Sequence, residues 1–214
     1  MSVSAKICGL STPETVKAAL DGGAAWLGFV FFDKSPRNIA PEAAARLAAP
    51  ARNRGVEVVA VTVDPDDALL DQLSATLKPD LIQLHGKETP ARAHQVAART
   101  GAGVIKALSV SEAADLDAAR AFDGVVRHLM FDAKPPKGSD LPGGTGARID
   151  WKILDGRRFS RPWLLAGGLD PWNLAEAVGL SGAPAVDVSS GVERGPGLKD
   201  PALITAFLDA ARRA

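Results

Sequence analysis

The 214-residue sequence has one cysteine, three histidines and no tyrosine. A single cysteine excludes an intrachain disulfide framework and any zinc or iron–sulfur site that needs several cysteines. The formal net charge is zero, so no basic excess predicts a nucleic-acid partner. No apolar run is long enough to span a bilayer and no charged-then-apolar leader is found, so we expect a cytoplasmic protein without a membrane partner.

What the sequence does contain is a regular alternation of short apolar runs and alanine-rich amphipathic stretches. The apolar runs predict eight strands, at 5–9, 26–31, 56–63, 81–85, 104–108, 128–132, 163–166 and 185–188. Helix-start signals, often Asp or Thr before Pro, predict a helix after each strand, with a weaker sixth helix near 149–156. Eight complete units favour an α/β fold of the closed (β/α)8 TIM barrel type, with residues 1–214 as a single domain, over an open doubly wound sheet.

The first predicted strand carries the lone cysteine at its end. In a TIM barrel the functional residues lie at the C-terminal ends of the strands and in the loops that follow. The two-residue period of a strand places Lys6 and Cys8 on the inward face and Ile7 toward the helices. A thiolate there can act as a general base or a nucleophile if a cation or a helix N-terminus lowers its pKa. The competing interpretation is an inert thiol that fills the core.

Polar residues also end the fourth and sixth predicted strands. Asp132 follows three apolar residues and is not promptly followed by a helix that it would cap. A desolvated carboxyl at such a position suits a general acid. Gln83 and His85 share one face of the fourth strand, and an inward polar pair is either a satisfied hydrogen-bonded layer or part of a site.

Two further charged residues belong to the same end of the barrel. Arg37, in the loop after the second strand, has a guanidinium fork that suits a carboxylate or phosphate; the alternative is a solvated loop arginine. Asp187 lies on the inward face of the eighth strand, which neighbours the first strand in a closed barrel. It therefore either pairs with Lys6 or orients a substrate hydroxyl.

Three consecutive loops, after the predicted strands six, seven and eight, are suited to an anion. They offer flexible glycine backbone with exposed N–H groups, or paired hydroxyls before a possible single turn of helix. The loops contain Gly143, Gly144 and Gly146 after strand six, Gly167 and Gly168 after strand seven, and Ser189 and Ser190 after strand eight. A base, an acid and a phosphate cradle, with no metal-ligand cluster and no nucleotide fingerprint, predict a cofactor-free proton transfer, such as an isomerisation, on a phosphorylated small molecule.

Seven motifs occur in order along nearly the whole chain. They are KICGL at 6–10, GFVFFDKSPRNI at 28–39, QLHG at 83–86, FDA at 131–133, GGTG at 143–146, LAGGLDPWN at 165–173 and VDVSSGVE at 186–193. Singly, GGTG is unspecific, but together the motifs resemble those of the phosphoribosylanthranilate isomerase family of tryptophan biosynthesis.

The resemblance implies an Amadori rearrangement of N-(5-phosphoribosyl)anthranilate to 1-(2-carboxyphenylamino)-1-deoxyribulose 5-phosphate. It implies that Asp132 is the general acid that opens the sugar ring and that Cys8 is the general base at sugar C2. Arg37 matches a contact to the anthranilate carboxylate, and Asp187 matches a residue near the sugar hydroxyls. The residues that match the family's phosphate-binding loops are Gly144, Gly146, Gly167, Gly168, Ser189 and Ser190. His85 is a further candidate for substrate binding. No cofactor or metal is expected, and both a monomer and a homodimer are compatible with the sequence.

Two other functions remain open from the residues alone. One is another phosphate-binding barrel isomerase, and the other is a non-catalytic barrel that binds a sugar phosphate. The combination of Cys8 and Asp132 counts against the second, because binding alone needs neither. The segment 134–142, rich in Lys, Pro and Gly, is long for its loop and is predicted to be a mobile lid.

Overall fold

The fold is a closed barrel of eight parallel strands in sequential order. The computed structural model describes residues 2–134, 138, 142–144 and 146–214. The barrel strands are β1 Ser4–Cys8, β2 Trp26–Phe31, β3 Glu57–Thr62, β4 Leu81–Leu84, β5 Gly103–Val110, β6 His128–Ala133, β7 Trp163–Leu165 and β8 Ala185–Val188. The predicted TIM barrel is confirmed. Of the predicted lid at 134–142, residues 135–137 and 139–141 lie outside the described part of the chain.

Within the described residues, six α-helices cover the outside of the barrel. They are α1 Pro13–Asp21, α2 Pro41–Arg52, α3 Asp67–Thr76, α4 Pro90–Thr100, α5 Leu174–Ser181 and α6 Pro201–Arg213. Thr12, Thr89 and Asp200 accept hydrogen bonds from first-turn backbone N–H groups, and a proline follows each of them as the first helical residue. Such pairs of a capping side chain and proline fix the helix starts, as the sequence signals predict.

The fifth and sixth predicted helices are wrong as α-helices, because the chain forms 3-10 segments there, at Ala113–Phe122 and Trp151–Leu154. In the first segment the buried residues are Leu116, Ala119 and Phe122, three positions apart. A three-residue period aligns side chains on one face of a 3-10 helix, whereas an α-helix would rotate them away from the barrel.

The barrel interior and the layer between strands and helices are separate apolar clusters. Cys8 packs inside the barrel with residues such as Val59 and Met130, whereas Ile7 packs in the outer layer. The predicted alternation along β1 is therefore confirmed. β1 closes the barrel against β8, with Lys6 level with Asp187 in the strand register.

The chain after β8 forms a short 3-10 turn at Ser190–Val192, where the sequence predicts one turn of helix. An antiparallel hairpin follows, made of β9 Glu193–Gly195 and β10 Leu198–Lys199. Sequence reasoning did not predict this hairpin, since each of its strands is too short to show a pattern. Two of its charged residues, Glu193 and Lys199, form hydrogen bonds with residues that line the site described below.

Candidate active site

One cavity at the C-terminal end of the barrel brings the candidate residues together. All the residues predicted for the site line it: Cys8, Arg37, His85, Asp132, Gly144, Gly146, Gly167, Gly168, Asp187, Ser189 and Ser190. Apolar walls come from Val30 on β2, Val61 on β3 and Phe32 in the loop after β2. The chemical roles of the predicted residues stay predictions, but the geometry permits them to act on one ligand.

Cys8 is buried at the end of β1, and its surroundings set the state of the thiol. Burial raises the pKa of Cys8, the charges of Lys6 and Lys199 lower it, and Asp187 raises it again, so that the pKa lies above its usual value. Cations do act on the thiol as the sequence analysis required, but they do not outweigh burial. Without a ligand, the protonated thiol is therefore favoured.

Asp187 forms an ion pair with Lys6 one layer below the cavity mouth. Lys6 Nζ donates to Asp187 Oδ1 at 2.7 Å, and Lys6 is fully buried. Burial disfavours the charged lysine, but the charge of Asp187 favours it, and the Lys6 pKa is raised. Of the two alternatives that the sequence left for Asp187, the pairing with Lys6 is thus observed, and the carboxylate still lines the cavity.

Asp132 belongs to a row of three hydrogen-bonded side chains that runs from β6 to β4. Its Oδ1 accepts the Ala133 backbone N–H at 2.8 Å, and its Oδ2 lies 3.0 Å from His85 Nε2. His85 Nδ1 in turn lies 3.0 Å from Gln83 Nε2. Gln83 Oε1 is buried without a hydrogen-bond partner among the described residues, so the layer is not fully satisfied.

Gly143 packs directly against the His85–Asp132 pair. A Cβ at this position would lie 2.5 Å from Asp132 Oδ2 and 2.7 Å from His85 Nε2, closer than side-chain carbons approach. Only glycine therefore lets the loop after β6 cover the pair. The sequence places Gly143 in the glycine-rich loop after the sixth strand, but it does not predict the contact of Gly143 with His85 and Asp132.

Arg37 is buried and tied to the hairpin after β8, so the alternative of a solvated loop arginine is wrong. Its Nε and Nη2 donate to the two carboxylate oxygens of Glu193, each at 2.8 Å, and Nη2 also donates to the Gly144 carbonyl at 3.3 Å. The fork that the sequence assigned to a ligand is thus occupied by Glu193. Nη1, which donates no hydrogen bond to a described residue, is the part of Arg37 available to a ligand.

Glu193 and Lys199 are site residues that sequence reasoning missed. Lys199 Nζ bonds to the Glu193 carboxylate and donates to the Ser189 carbonyl at 3.2 Å. Burial works against the ionised Glu193, but the hydrogen bond from Arg37 and the charge of Lys199 outweigh it and lower the Glu193 pKa. The ion pairs of Glu193 with Arg37 and with Lys199 therefore connect the loop after β2 with the predicted phosphate loop after β8.

The candidate phosphate loops after β7 and β8 pack tightly on each other. A Cβ on Gly191 would lie 1.8 Å from the Leu169 carbonyl oxygen, so only glycine allows this contact. Ser189 Oγ donates to the Cys8 carbonyl at 3.3 Å, which links the loop after β8 to the end of β1. Gly167 and Gly168 have φ angles of +87° and +62°, a region that favours glycine and turns the backbone sharply at the cavity wall.

Comparison with known proteins shows that the sequence of this chain is similar to those of a family of enzymes. Residues 5–210 match the family model described as N-(5′-phosphoribosyl)anthranilate (PRA) isomerase. An N-(5′-phosphoribosyl)anthranilate isomerase of Caulobacter vibrioides is 74% identical, with 100% of this chain and 99% of the relative covered.

Solved structures agree with the sequence relatives. The phosphoribosyl anthranilate isomerase of Thermotoga maritima is 34% identical, has a TM-score of 0.86, and the alignment covers 99% of this chain and 100% of that one. A second solved isomerase holds reduced 1-(o-carboxyphenylamino)-1-deoxyribulose 5-phosphate; it is 32% identical over 99% of this chain and 100% of that one, with a TM-score of 0.84.

Proposed function

Because the chain belongs to the N-(5′-phosphoribosyl)anthranilate isomerase family, we propose that Asp132 and Cys8 act as the general acid and general base of its reaction. The chain is an isomerase of tryptophan biosynthesis, and the reaction moves protons within a single substrate. The observation that carries the proposal is the shared cavity, which an ionisable residue from β6 and one from β1 both line. A carboxyl and a thiol are groups able to move protons in this way.

The first step is the opening of the furanose ring. Asp132 delivers a proton to the ring oxygen as the bond between that oxygen and C1 breaks, and the electron pair of the bond goes to the oxygen. The anthranilate nitrogen supplies its lone pair to C1 and forms a protonated Schiff base. The position of Asp132 at the strand end, where it lines the cavity beside His85, supports this role.

The second step is the removal of the proton from C2 by the Cys8 thiolate. The electrons of the C2–H bond form the C1=C2 bond, and those of the C=N bond return to nitrogen, giving an enolamine. The enolamine becomes the ketone when C1 gains a proton and the C2 hydroxyl loses one, which restores both catalytic groups. Since the pKa of Cys8 is raised in the free protein, the thiol first releases its proton to solvent, and the positive Schiff base adjacent to C2 favours the resulting thiolate.

Substrate binding uses the two sides of the cavity. We assign the carboxylate of the anthranilate ring to Arg37 Nη1, since Nε and Nη2 are held by Glu193. We assign the phosphate to the loops that contain Gly144, Gly146, Gly167, Gly168, Ser189 and Ser190. The apolar walls from β2 and β3 suit the aromatic ring, and Asp187 and His85 suit the sugar hydroxyls.

The cellular setting is a proposal as well. Among the described residues, no helix combines the length and apolar character needed to cross a bilayer. The one cysteine has no partner for a disulfide and is needed as a free thiol in this reaction, which suits the reducing cytoplasm. The chain acts there as a monomer or a homodimer, and light scattering after size-exclusion chromatography distinguishes the two.

The test is the rate at which anthranilate fluorescence changes as freshly made phosphoribosylanthranilate is consumed. We expect Cys8→Ser and Asp132→Asn each to lower kcat by about 10²- to 10⁴-fold, the scale for loss of a general acid or base. Asp155→Asn, a change of the same type at an exposed position, serves as the control and should leave kcat unaltered. A Cys8→Ser or Asp132→Asn variant with the unmodified protein's rate contradicts the corresponding role.

A further inference from the structure

Gln83 is a buried polar residue of the cavity that the reaction described above does not use. It is fully buried on β4 and lines the same cavity as Asp132. Its Nε2 lies 3.0 Å from His85 Nδ1, while its Oε1 has no hydrogen-bond partner among the described residues. A buried amide oxygen without a partner is unfavourable and rare, so its presence beside an acid needs an explanation.

The observed orientation of the Gln83 amide determines which His85 nitrogen carries the proton. When Nε2 of Gln83 donates to Nδ1, the neutral ring must carry its proton on Nε2 and donate it to Asp132 Oδ2. Asp132 then accepts hydrogen bonds from His85 and from the Ala133 N–H. Two donors stabilise the ionised carboxylate, which is the form that cannot give a proton to the sugar.

If the His85–Asp132 pair takes up one more proton, His85 carries a proton on Nδ1 as well. This Nδ1–H then needs an acceptor. The only described side-chain atom at hydrogen-bond distance from Nδ1 belongs to the Gln83 amide. A half-turn of that amide places Oε1 opposite Nδ1 and needs no extra space, because the oxygen and the NH₂ group are similar in size. The turn gives Oε1 a partner in His85 and moves the NH₂ group to the former position of Oε1.

We propose that Gln83 is a positioning residue whose amide turns to accept Nδ1–H of His85, so that the His85–Asp132 pair holds the proton that Asp132 delivers. The inference rests on the proposed role of Asp132 as the acid. In the loaded pair one proton lies on His85 Nδ1, and the proton to be delivered lies between His85 Nε2 and Asp132 Oδ2. It passes from Oδ2 to the ring oxygen as the C1–O bond breaks, and the pair regains a proton when the C2 hydroxyl of the enolamine loses its own.

Other charged groups surround the three residues. On the outer side of β4, Lys106 Nζ donates to the Gly86 carbonyl at 2.8 Å and to Glu88 Oε2 at 2.6 Å. Asp64 accepts from the Lys87 backbone N–H in the same loop. Across the cavity lie Cys8, Arg37 and Asp187. The charges of Lys106 and Glu88 offset each other in one ion pair, and those of Lys6 and Asp187 in another. The group that contacts His85 Nδ1 is the neutral amide of Gln83.

The experiment compares Gln83→Glu and Gln83→Met with the unmodified protein by ¹⁵N NMR of the histidine rings; the chain has only three histidines. A glutamate at this position is a permanent acceptor for Nδ1–H, so we expect the pH midpoint of His85 protonation to rise by about one unit or more. A methionine provides no acceptor, so the midpoint should fall. We expect Gln83→Met also to lower kcat about tenfold or more with little change in KM.

A purely structural role for Gln83 is separated from this one by two comparisons. Gln95→Glu and Gln95→Met, at an exposed position of α4, should leave the His85 titration and kcat unaltered. In an Asp132→Asn background, Gln83→Met should cause no further loss of kcat, because both changes act on one proton.

An unmoved His85 titration in both Gln83 variants overturns the inference. So does a Gln83→Met loss that multiplies with the Asp132→Asn loss. If Asp132→Asn itself has the unmodified rate, the assignment of the acid fails instead. Gln83→Glu, which is isosteric with the natural side chain, keeps the test decisive if Gln83→Met does not fold.

Discussion

At the scale of single residues, the state of Cys8 is decided by groups that are distant along the chain. Burial favours the neutral thiol, while Lys6 and Lys199 favour the thiolate. Lys199 belongs to the hairpin after β8 and is held in place by Glu193 and the Ser189 carbonyl. Part of the positive charge near Cys8 therefore comes from the hairpin after β8.

We expect Lys199→Met to raise the pKa of Cys8 further, because the change removes a cation that lowers it. The pH profile for alkylation of this sole thiol by iodoacetamide should then move to higher pH, and alkylation at neutral pH should slow. Glu193 keeps its two hydrogen bonds from Arg37, so the hairpin should still fold. Lys152→Met, at an exposed position, is the matched control. An identical profile for Lys199→Met and the unmodified protein would rule out an influence of Lys199 on the thiol.

At the scale of elements, some parts of the barrel can be predicted from the sequence and others cannot. Strands and α-helices show a period in the sequence, and every predicted strand is found. The sequence predicts α-helices at the two 3-10 segments after β5 and β6, because a helix-start signal shows where a helix begins but not which type of helix follows. The loop after β6 is recognisable by its glycines, but the contact of Gly143 with His85 and Asp132 depends on how the loop folds back over the cavity.

We expect Gly143→Ala to lower kcat by about 10- to 100-fold, since the added methyl would lie 2.5 Å from Asp132 Oδ2 and must displace the acid or the loop. The fluorescence assay at saturating substrate measures this loss. Gly179→Ala, on α5, is a suitable control because a Cβ there meets no atom within 4 Å. A Gly143→Ala enzyme within twofold of the control would show that the loop does not constrain the acid.

At the scale of the whole molecule, the ion pair between Lys6 and Asp187 joins β1 to β8, the first and last strands of the barrel. Lys6 lies fully inside the barrel, and its partner lies level with it across the β1–β8 pairing. A buried ion pair adds little net stability, but loss of one partner leaves an uncompensated buried charge. The pair therefore links closure of the barrel to the electrostatics of Cys8.

We expect Lys6→Met to lower the free energy of unfolding by about 3–5 kcal/mol, because Asp187 is then a buried carboxylate without its partner. The double variant Lys6→Met/Asp187→Leu should recover most of that stability without recovering activity, if Asp187 also contacts the substrate. Urea unfolding measures the free energies of unfolding. The same experiment tests the prediction of one domain over 1–214, which requires a single cooperative transition. Lys17→Met, in a pair whose lysine is 76% exposed, should cost less than about 1 kcal/mol. Equal losses for Lys6→Met and the double variant would contradict this account.

The sequence by itself determined the barrel, the order of its strands and the end at which the site lies. Those features follow from periodic burial and from short signals at strand ends and helix starts, which are local along the chain. It also determined the candidates Cys8, Asp132 and the glycine loops, since strand ends are recognisable without knowledge of contacts.

Only the tertiary structure decided which partners each candidate has. Arg37 and Glu193 lie 156 positions apart, and His85 and Asp132 lie 47 apart, so no local pattern reports their contacts. Burial and charge at such contacts set the pKa of the Cys8 thiol and decide which edge of Arg37 a ligand can reach. These properties arise from closure of the barrel, because closure brings distant strand ends around one desolvated cavity.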